Sequence, residues 1–267
     1  MVASARVVES SLTTTRVRII AIDRPWEWLG AGWKDLWRAP TTSIPYGLLF
    51  VAMGYLLVYL IEGQFQHALA LTTGFLLAGP FLSMGLYDIS RRLEAGEPAT
   101  LGHALMAWQR NVLPILMFGG LIGLLMIVWA RLSAVLFGVI VGGGHHLILD
   151  GSVTLLFFSG SGLTFLIVFT LVGAVIAAAV FVISVVSIPM MLDRKTDFIT
   201  AVLTSITAVQ ANIGVMSLWA ALITIFTGIG LITFYLGLAI VLPLIGHATW
   251  HAYRDIVDSS DLEQHPI

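Results

Sequence analysis

The chain has 267 residues, of which 58% are hydrophobic and only 10% are charged, and its formal net charge is −2. A soluble domain carries about 25% charged residues, so this composition excludes a globular protein with a water-facing surface. The small net charge offers no electrostatic basis for nucleic-acid binding. Because the chain has no cysteine, disulfides, thiol catalysis and cysteine-ligated clusters are excluded as well.

The polar ends of the chain enclose one long apolar region. Residues 1–22 contain no apolar run of signal-peptide length, and we expect them to form a flexible cytoplasmic segment. We assign residues 23–256 to a transmembrane domain and residues 257–267 to a short cytoplasmic tail. The lipid bilayer is therefore the first predicted partner of this protein.

Long, uninterrupted apolar runs predict an all-α, polytopic helical bundle, because barrel strands would alternate polar and apolar residues. We expect six transmembrane helices. The first four cover residues 44–61, 67–87, 112–130 and 163–192. The fifth and sixth share residues 213–253, which are too many for one crossing. The sequence Thr-Gly-Ile-Gly at residues 227–230 predicts the division between them.

The basic residues predict the direction of the spans. With six spans, twelve of the thirteen Lys and Arg residues lie on one side of the membrane, and only Arg131 lies on the other. Because Lys and Arg concentrate in cytoplasmic loops, both termini are predicted to be cytoplasmic. A missing span would exchange the sides of all later loops, so the bias also favours the count of six. The predicted location is a bacterial inner membrane.

A weak threefold repeat groups these spans into three hairpins, each preceded by an amphipathic helix on the cytoplasmic face. The first such helix follows Asp23 and carries Trp26, Leu29, Trp33, Leu36 and Trp37 at helical spacing. The second begins after Thr100 and leads to Trp108, and the third begins after Asp197. The second span of each hairpin carries a proline, and an aspartate follows it; the pairs are Pro80 and Asp88, Pro189 and Asp193, and Pro243 and Asp255. Trp33, Trp37 and Trp108 are predicted interfacial residues, since multi-pass proteins often carry Trp at the interface whether or not they contain repeats.

Three sequence stretches carry a resemblance to a known family. They are residues 33–40 (WKDLWRAP), residues 185–194 (VVSIPMMLDR) and residues 242–254 (LPLIGHATWHAYR). On these stretches the chain resembles a bacterial family of integral membrane proteins of unknown function. Some members of that family carry the label cytochrome c oxidase subunit I. The resemblance implies a six-helix inner-membrane protein, and it implies no established activity, substrate or cofactor.

The most specific candidate site is a row of His247, His251 and Asp255 on the last span. These residues lie one turn apart and share a helical face, a spacing at which imidazoles can bind one metal ion. The alternative is hydrogen bonding at the membrane boundary, which Trp250 and Tyr253 mark. A haem held by both histidines is excluded, because two residues on one helix cannot reach both sides of the ring.

We identify no catalytic residue and predict no cofactor, since the motifs of soluble enzymes are missing. The sequence favours a non-enzymatic protein, either an accessory subunit of a membrane complex or a small-solute or lipid handler. A redox- or metal-binding subunit associated with a respiratory oxidase is the alternative, with a metal ion at His247 and His251, or with a haem whose second ligand comes from a partner helix. A membrane-protein partner or a homodimer is a further predicted partner. Gly119 and Gly123 form a small-residue motif that indicates helix packing first and a dimer face second.

Overall fold

A computed structural model describes residues 7–9, 15–60, 65–142 and 159–265. Most of them are helical. In chain order the helices are α1 (Arg24–Arg38), α2 (Pro40–Leu60), α3 (Phe65–Leu77), α4 (Gly79–Leu82), α5 (Met84–Glu94), α6 (Leu101–Leu105), a 3-10 helix (Ala107–Asn111), α7 (Val112–Ile140), α8 (Gly160–Ser184), α9 (Ser187–Asp193), α10 (Phe198–Ala211), α11 (Ile213–Ile232) and α12 (Leu238–Ile256). Three short antiparallel strands accompany them, with β2 (Arg16–Arg18) between β1 (Val7–Glu9) and β3 (Val257–Asp258).

The prediction of an all-α membrane protein is confirmed. Four helical stretches of the described chain are long and apolar enough to cross a bilayer, namely Pro40–Tyr59, Ala107–Ile140, Gly160–Asp193 and Ile213–Ile232. They coincide with the first, third, fourth and fifth predicted spans. α7 continues past Arg131 to Ile140, so the third helix is longer than the predicted span of residues 112–130.

The second and sixth predicted spans are not among these four. Residues 67–87 fall on α3, α4 and α5, which are separated at Ala78 and Ser83. Pro80 lies in the short middle piece, where its missing N–H prevents a continuous hydrogen-bond ladder. α12 contains Pro243 and ends in a polar turn. The count of six spans and their arrangement as three hairpins therefore stay predictions.

The predicted division between the fifth and sixth spans at residues 227–230 is wrong. α11 runs through this sequence to Ile232, and the chain turns over residues 233–237 instead. Phe234 and Tyr235 adopt positive φ angles of 53° and 66°, a conformation that side chains other than glycine rarely take. Gly230 lies inside the helix and packs closely on Leu238, since a Cβ at this position would lie 2.5 Å from a terminal carbon of the Leu238 side chain.

The chain divides into two compact units. Unit 2 contains residues 53–79 and 120–180. Trp129 stands at its centre and is 1% exposed. Its indole Nε1 donates a 2.8 Å hydrogen bond to Thr73, and its ring packs 4.8 Å from that of Phe169. Gly173 lies against the same indole, so Trp129 joins α3, α7 and α8.

Unit 1 contains residues 1–52, 80–119 and 181–267, and its centre is formed by α5, α9 and α12, which contact one another. A more peripheral helix packs against each of the three: α6 against α5, α10 against α9, and α1 along α12. Two glycines permit close approaches of α1 and α5 to α12. A Cβ on Gly32 of α1 would lie 2.7 Å from the backbone nitrogen of Ala248, and one on Gly246 would lie 2.5 Å from the Leu86 side chain.

The amphipathic helices begin where the sequence predicts them. The Thr100 side chain accepts a hydrogen bond from the His103 backbone at the start of α6. Asp197 accepts one from the Thr200 backbone at the start of α10, at 2.9 Å. The two helices therefore start where the sequence predicts them, and each start is fixed by a side chain that caps a residue three positions later.

The face of α1 that packs inward differs from the predicted apolar stripe. Trp28, Gly32, Asp35 and Leu36 are buried, whereas Trp26, Trp33 and Trp37 are about half exposed. The Trp33 and Trp37 rings contact each other at 5.6 Å. Apolar spacing therefore predicted the helix correctly. However, α1 turns the face formed by Trp26, Trp33 and Trp37, its tryptophan face, outward and packs a second face, which includes the Asp35 carboxylate, against α12.

The described part of residues 1–22, the segment predicted to be flexible, is hydrogen-bonded to the start of α11. Asn212 Nδ2 donates to the Arg18 carbonyl at 3.0 Å, and Asn212 Oδ1 accepts from the Ile20 backbone at 2.9 Å. In the tail, the Lys195 backbone donates to the Glu263 carbonyl at 2.9 Å. Both ends of the described chain thus contact unit 1.

Candidate functional site

Unit 1 concentrates buried polar side chains where α1, α2, α5 and α12 meet. α1 approaches α12 through Gly32, and α5 approaches α12 through Gly246, so polar residues near these glycines are brought together. The residues at this meeting point are Asp35, Ser43, Ser90, His247 and His251, which we name the histidine junction. Asp35, Ser43, Ser90 and His247 are buried.

The side chain of His247 is completely enclosed, and both of its ring nitrogens have hydroxyl partners. Nε2 lies 2.9 Å from Ser43 Oγ of α2, and Nδ1 lies 2.8 Å from Ser90 Oγ of α5. A buried polar group without partners is costly, and these two serines remove that cost. His247 thereby joins three helices through one ring.

Asp35 continues the junction toward the surface. Its Oδ2 atom accepts a hydrogen bond from Ser90 Oγ at 2.8 Å and lies 2.7 Å from His251 Nε2. Burial raises the pKa of this carboxyl group, but the hydrogen bonds from His251 and Ser90 lower it by more. The net shift of the Asp35 pKa is therefore downward from 3.8. Asp35 is therefore a carboxylate at neutral pH, although only 5% of its side chain is exposed.

A second polar group, the arginine cluster, surrounds two carboxylates, Asp88 within α5 and Asp193 at the end of α9. Asp88 accepts hydrogen bonds from Arg91 at 2.9 Å and 3.0 Å and from Arg92 at 2.9 Å. Arg92 also donates to Glu97 at 3.2 Å. Asp88 is 1% exposed, so these bonds are formed away from water, where charged groups require partners.

The arginine cluster also joins α12 to α9 and α5. Asp193 accepts hydrogen bonds from Arg194 at 2.9 Å, from the Tyr253 hydroxyl at 2.8 Å and from Arg254 at 3.5 Å. Arg254 also donates to Glu94 of α5 at 3.2 Å. The three helices at the centre of unit 1 are thus linked by ion pairs as well as by apolar packing.

The three residues of the predicted metal site face different partners. His247 contacts the two serines, His251 contacts Asp35, and Asp255 accepts hydrogen bonds from Arg24 at 2.7 Å and Trp28 at 3.0 Å. In the part of the chain that the structure describes, no group of three His, Asp or Glu residues is placed to hold a metal ion. The metal and haem alternatives stay predictions, and the loop containing His145 and His146 lies outside the described residues.

The other predicted residues divide between core and surface. Trp108 is partly exposed, as Trp33 and Trp37 are. Pro189 and Pro243 are buried within α9 and α12. Gly119 packs against Phe81, whereas a Cβ on Gly123 would meet nothing within 4 Å. The three aspartates that follow the prolines, Asp88, Asp193 and Asp255, all form ion pairs or hydrogen bonds with arginines.

Sequence reasoning missed Asp35, Ser43 and Ser90. The serines lie 204 and 157 positions from His247, so no local spacing connects them to it. For Asp35 a local signal exists, because it shares a helical face with Trp28, Gly32 and Leu36. A carboxylate among such residues indicates a buried polar contact rather than a solvated surface.

One comparison with known proteins gives a match. Residues 68–193 match the sequence model of a family described as a predicted integral membrane protein (DUF2189). No curated protein and no solved structure matches the chain. From α3 to the end of α9, the chain is therefore similar to a membrane protein family of unknown function, which confirms the resemblance inferred from the sequence.

Proposed function

We propose that the chain is a non-enzymatic accessory subunit of a complex in the bacterial inner membrane. The observation that carries this proposal is the mutual pairing of polar groups in unit 1. The carboxylates Asp35, Asp88 and Asp193 are buried and bound by residues of the same chain. Such a network makes a rigid platform. These carboxylates are therefore occupied by contacts within the chain, whereas a solute or ion pathway needs polar groups that are free to bind and release the transported species.

The proposal also includes six spans arranged as three hairpins. A contact that recurs in the three hairpins supports this arrangement. In each proposed hairpin, a polar side chain at the start of the first span binds the backbone just before a surface helix. Thr42 donates to the Ala99 carbonyl at 3.0 Å, Asn111 to the Thr196 carbonyl at 2.9 Å, and Asn212 to the Arg18 carbonyl at 3.0 Å. These backbone positions precede α6, α10 and α1, so the three units would follow each other around the centre of unit 1.

The tryptophan face of α1 supports a position at the level of the lipid headgroups. Trp and Tyr concentrate at membrane interfaces, and a surface helix there turns its apolar side toward the acyl chains. Only Ala39 separates α1 from the apolar helix α2. Lys34 and Arg38 are exposed near Trp33 and Trp37, where they would meet lipid headgroups. The basic residues predict that this is the cytoplasmic side.

Reporter fusions test the number of spans, because the side of the membrane can be measured at both ends of the second and of the sixth predicted span. Fusions after Glu62 and Gly96 enclose the second span, and fusions after Leu236 and at the end of the chain enclose the sixth. We expect periplasmic signals after Glu62 and Leu236 and cytoplasmic signals at the other two positions. If α3 to α5 or α12 does not cross the bilayer, the two fusions enclosing it will report the same side. A fusion after Asp150 should be periplasmic.

Photo-crosslinking in native membranes tests the accessory role. The chain has no cysteine, so a crosslinker can be placed at single cysteines without background. Leu171 and Val175 on α8 are 62% and 70% exposed, whereas Phe165 on the same helix is 1% exposed. We expect crosslinks at Leu171 and Val175 to one protein of constant mass, and only intrachain products at Phe165. Crosslinks to lipid alone would contradict the accessory role and favour a lipid handler.

A further inference from the structure

The C-terminal half of α1 carries two basic side chains beside its tryptophan face. Lys34 and Arg38 lie four positions apart and therefore share one side of the helix, which we name the basic edge. Both residues are exposed, and the Arg38 side chain is 65% exposed. Because an α-helix turns by about 100° per residue, each lies about 100° from its neighbour Trp33 or Trp37. Positive charges therefore line one flank of the exposed aromatic rings.

The charge of the basic edge is not compensated within the described chain. No carboxylate among the described residues lies within 4.0 Å of the Lys34 ammonium group. Arg38 lies 3.8 Å from Oδ1 of Asp35, a buried carboxylate whose other oxygen is bonded within the histidine junction. At the other end of α1, Glu27 pairs with Arg24. The C-terminal half of the helix therefore presents a net positive charge at its surface.

The other two surface helices do not carry such an edge. α6 and α10 contain no Lys or Arg. Arg110, which follows α6, is half-buried and donates to the Leu192 carbonyl at 3.3 Å. Lys195, which precedes α10, pairs with Glu263. A general requirement for attachment to the membrane would place exposed basic residues on all three helices, so the basic edge indicates a contact that is specific to α1.

We propose that the basic edge binds the phosphate of a phospholipid whose headgroup carries a net negative charge. This inference rests on the proposed position of α1 at the membrane interface, and it names the lipid that α1 binds there. The Arg38 guanidinium can donate two parallel hydrogen bonds to phosphate oxygens, and Lys34 adds a second positive charge. A zwitterionic headgroup brings its own ammonium group, which competes with these side chains for the phosphate. An anionic headgroup has no such group and is therefore preferred.

The helix ends beside the basic edge do not oppose an anion. The C-terminus of α1 carries a partial negative charge, which by itself would repel a phosphate near Arg38. α2 begins at Pro40, its N-terminus carries a partial positive charge, and its first turn contains no acidic residue. The two helix ends therefore offset each other, and Lys34 and Arg38 determine the local charge.

Trp33 and Trp37 provide an apolar surface for the same lipid. Their side chains are 47% and 53% exposed, and their rings contact each other edge to face at 5.6 Å. Tryptophan side chains at this level lie between the headgroups and the acyl chains. A lipid held by the basic edge would therefore contact these two rings, and their fluorescence reports its presence.

Quenching by brominated phospholipids tests the lipid preference of α1. The protein would be placed in nanodiscs of equal parts phosphatidylglycerol and phosphatidylcholine, with bromine on the acyl chains of only one of them. The signal of Trp33 and Trp37 is the difference between the wild type and the double variant Trp33→Phe with Trp37→Phe. We expect this signal to show a preference for phosphatidylglycerol of about tenfold or more, because each basic residue near the surface contributes about fivefold. The preference should weaken at high salt, which screens exposed charges.

Two double variants assign the preference to the basic edge. Lys34→Gln with Arg38→Gln should lower it about tenfold, toward equal quenching by the two lipids. Both side chains are exposed, so the fold does not depend on them. Arg131→Gln with Lys195→Gln is the charge-matched control, because it also removes two exposed basic residues, neither of them on α1. We expect this control to keep the preference of the wild type.

The outcomes separate the lipid preference from the position of α1. Equal quenching by the two brominated lipids in the wild type, or an equal loss of preference in both double variants, would overturn the proposal and leave α1 at the interface. Quenching by neither lipid would show that α1 does not contact the bilayer, which would contradict its proposed position as well. The accessory role is tested separately by the crosslinks at Leu171 and Val175.

Discussion

Asp88→Asn should destabilise the protein by about 3–5 kcal/mol, because it breaks a buried ion pair while leaving the arginines in place. Asparagine keeps the volume of the side chain, so the loss reflects charge rather than packing. Arg91, whose side chain is 9% exposed, would lose the carboxylate that it contacts at 2.9 Å. Arg92 keeps Glu97 as a second partner. Thermal unfolding of the purified protein in one detergent, followed by circular dichroism, measures the effect.

The pair of Lys195 and Glu263 is the matched control. It joins the same kinds of groups, but the two side chains are 45% and 71% exposed. Glu263→Gln should therefore cost at most about 1 kcal/mol, as expected for a pair in contact with water. The double variant Asp88→Asn with Arg91→Met should recover part of the loss, since it removes the uncompensated charge. If Asp88→Asn and Glu263→Gln lowered the free energy of unfolding equally, the result would contradict the idea that burial makes the Asp88 ion pair more important for stability.

Local features of this fold could be predicted from sequence, because they depend on residues within one turn of each other. Thr100 and Asp197 cap helices through bonds to residues three positions later. The helix over residues 24–38 follows from its apolar spacing and from Pro25 at its start. The break after α11 could not be predicted in the same way. Its left-handed residues are Phe234 and Tyr235, while Gly228 and Gly230 lie inside α11.

The candidate site could be predicted only in part. Spacing correctly placed His247 and His251 one turn apart on one helix, but the identity of their partners depends on which helices pack against that face. α1 reaches α12 because Gly32 removes a side chain, and this contact brings Asp35 to His251. Nothing in the sequence near His247 indicates that two distant serines enclose it. Sequence therefore identified the helix that carries the site, whereas tertiary packing decides its chemistry.

Gly32→Ala should separate α1 from α12 and destabilise the protein by about 1–3 kcal/mol, the usual cost of overpacking. The added Cβ would lie 2.7 Å from the Ala248 nitrogen and 2.8 Å from the Leu244 carbonyl oxygen. Both atoms belong to the backbone, so no side-chain rotation can relieve the contact. The hydrogen bond from Trp28 to Asp255 and the contact between Asp35 and His251 span the same interface and should weaken together.

Gly30→Ala provides the control on the same helix. A Cβ at this position would meet nothing within 4 Å, and alanine favours the helix by about 0.5–1 kcal/mol over glycine. We therefore expect opposite shifts in the unfolding temperature from the same substitution at positions two residues apart. The ¹⁵N resonances of His251 should change in Gly32→Ala and stay unchanged in Gly30→Ala. Equal behaviour of the two variants would show that α1 does not depend on close contact with α12. The tryptophan face would then be the main attachment of α1.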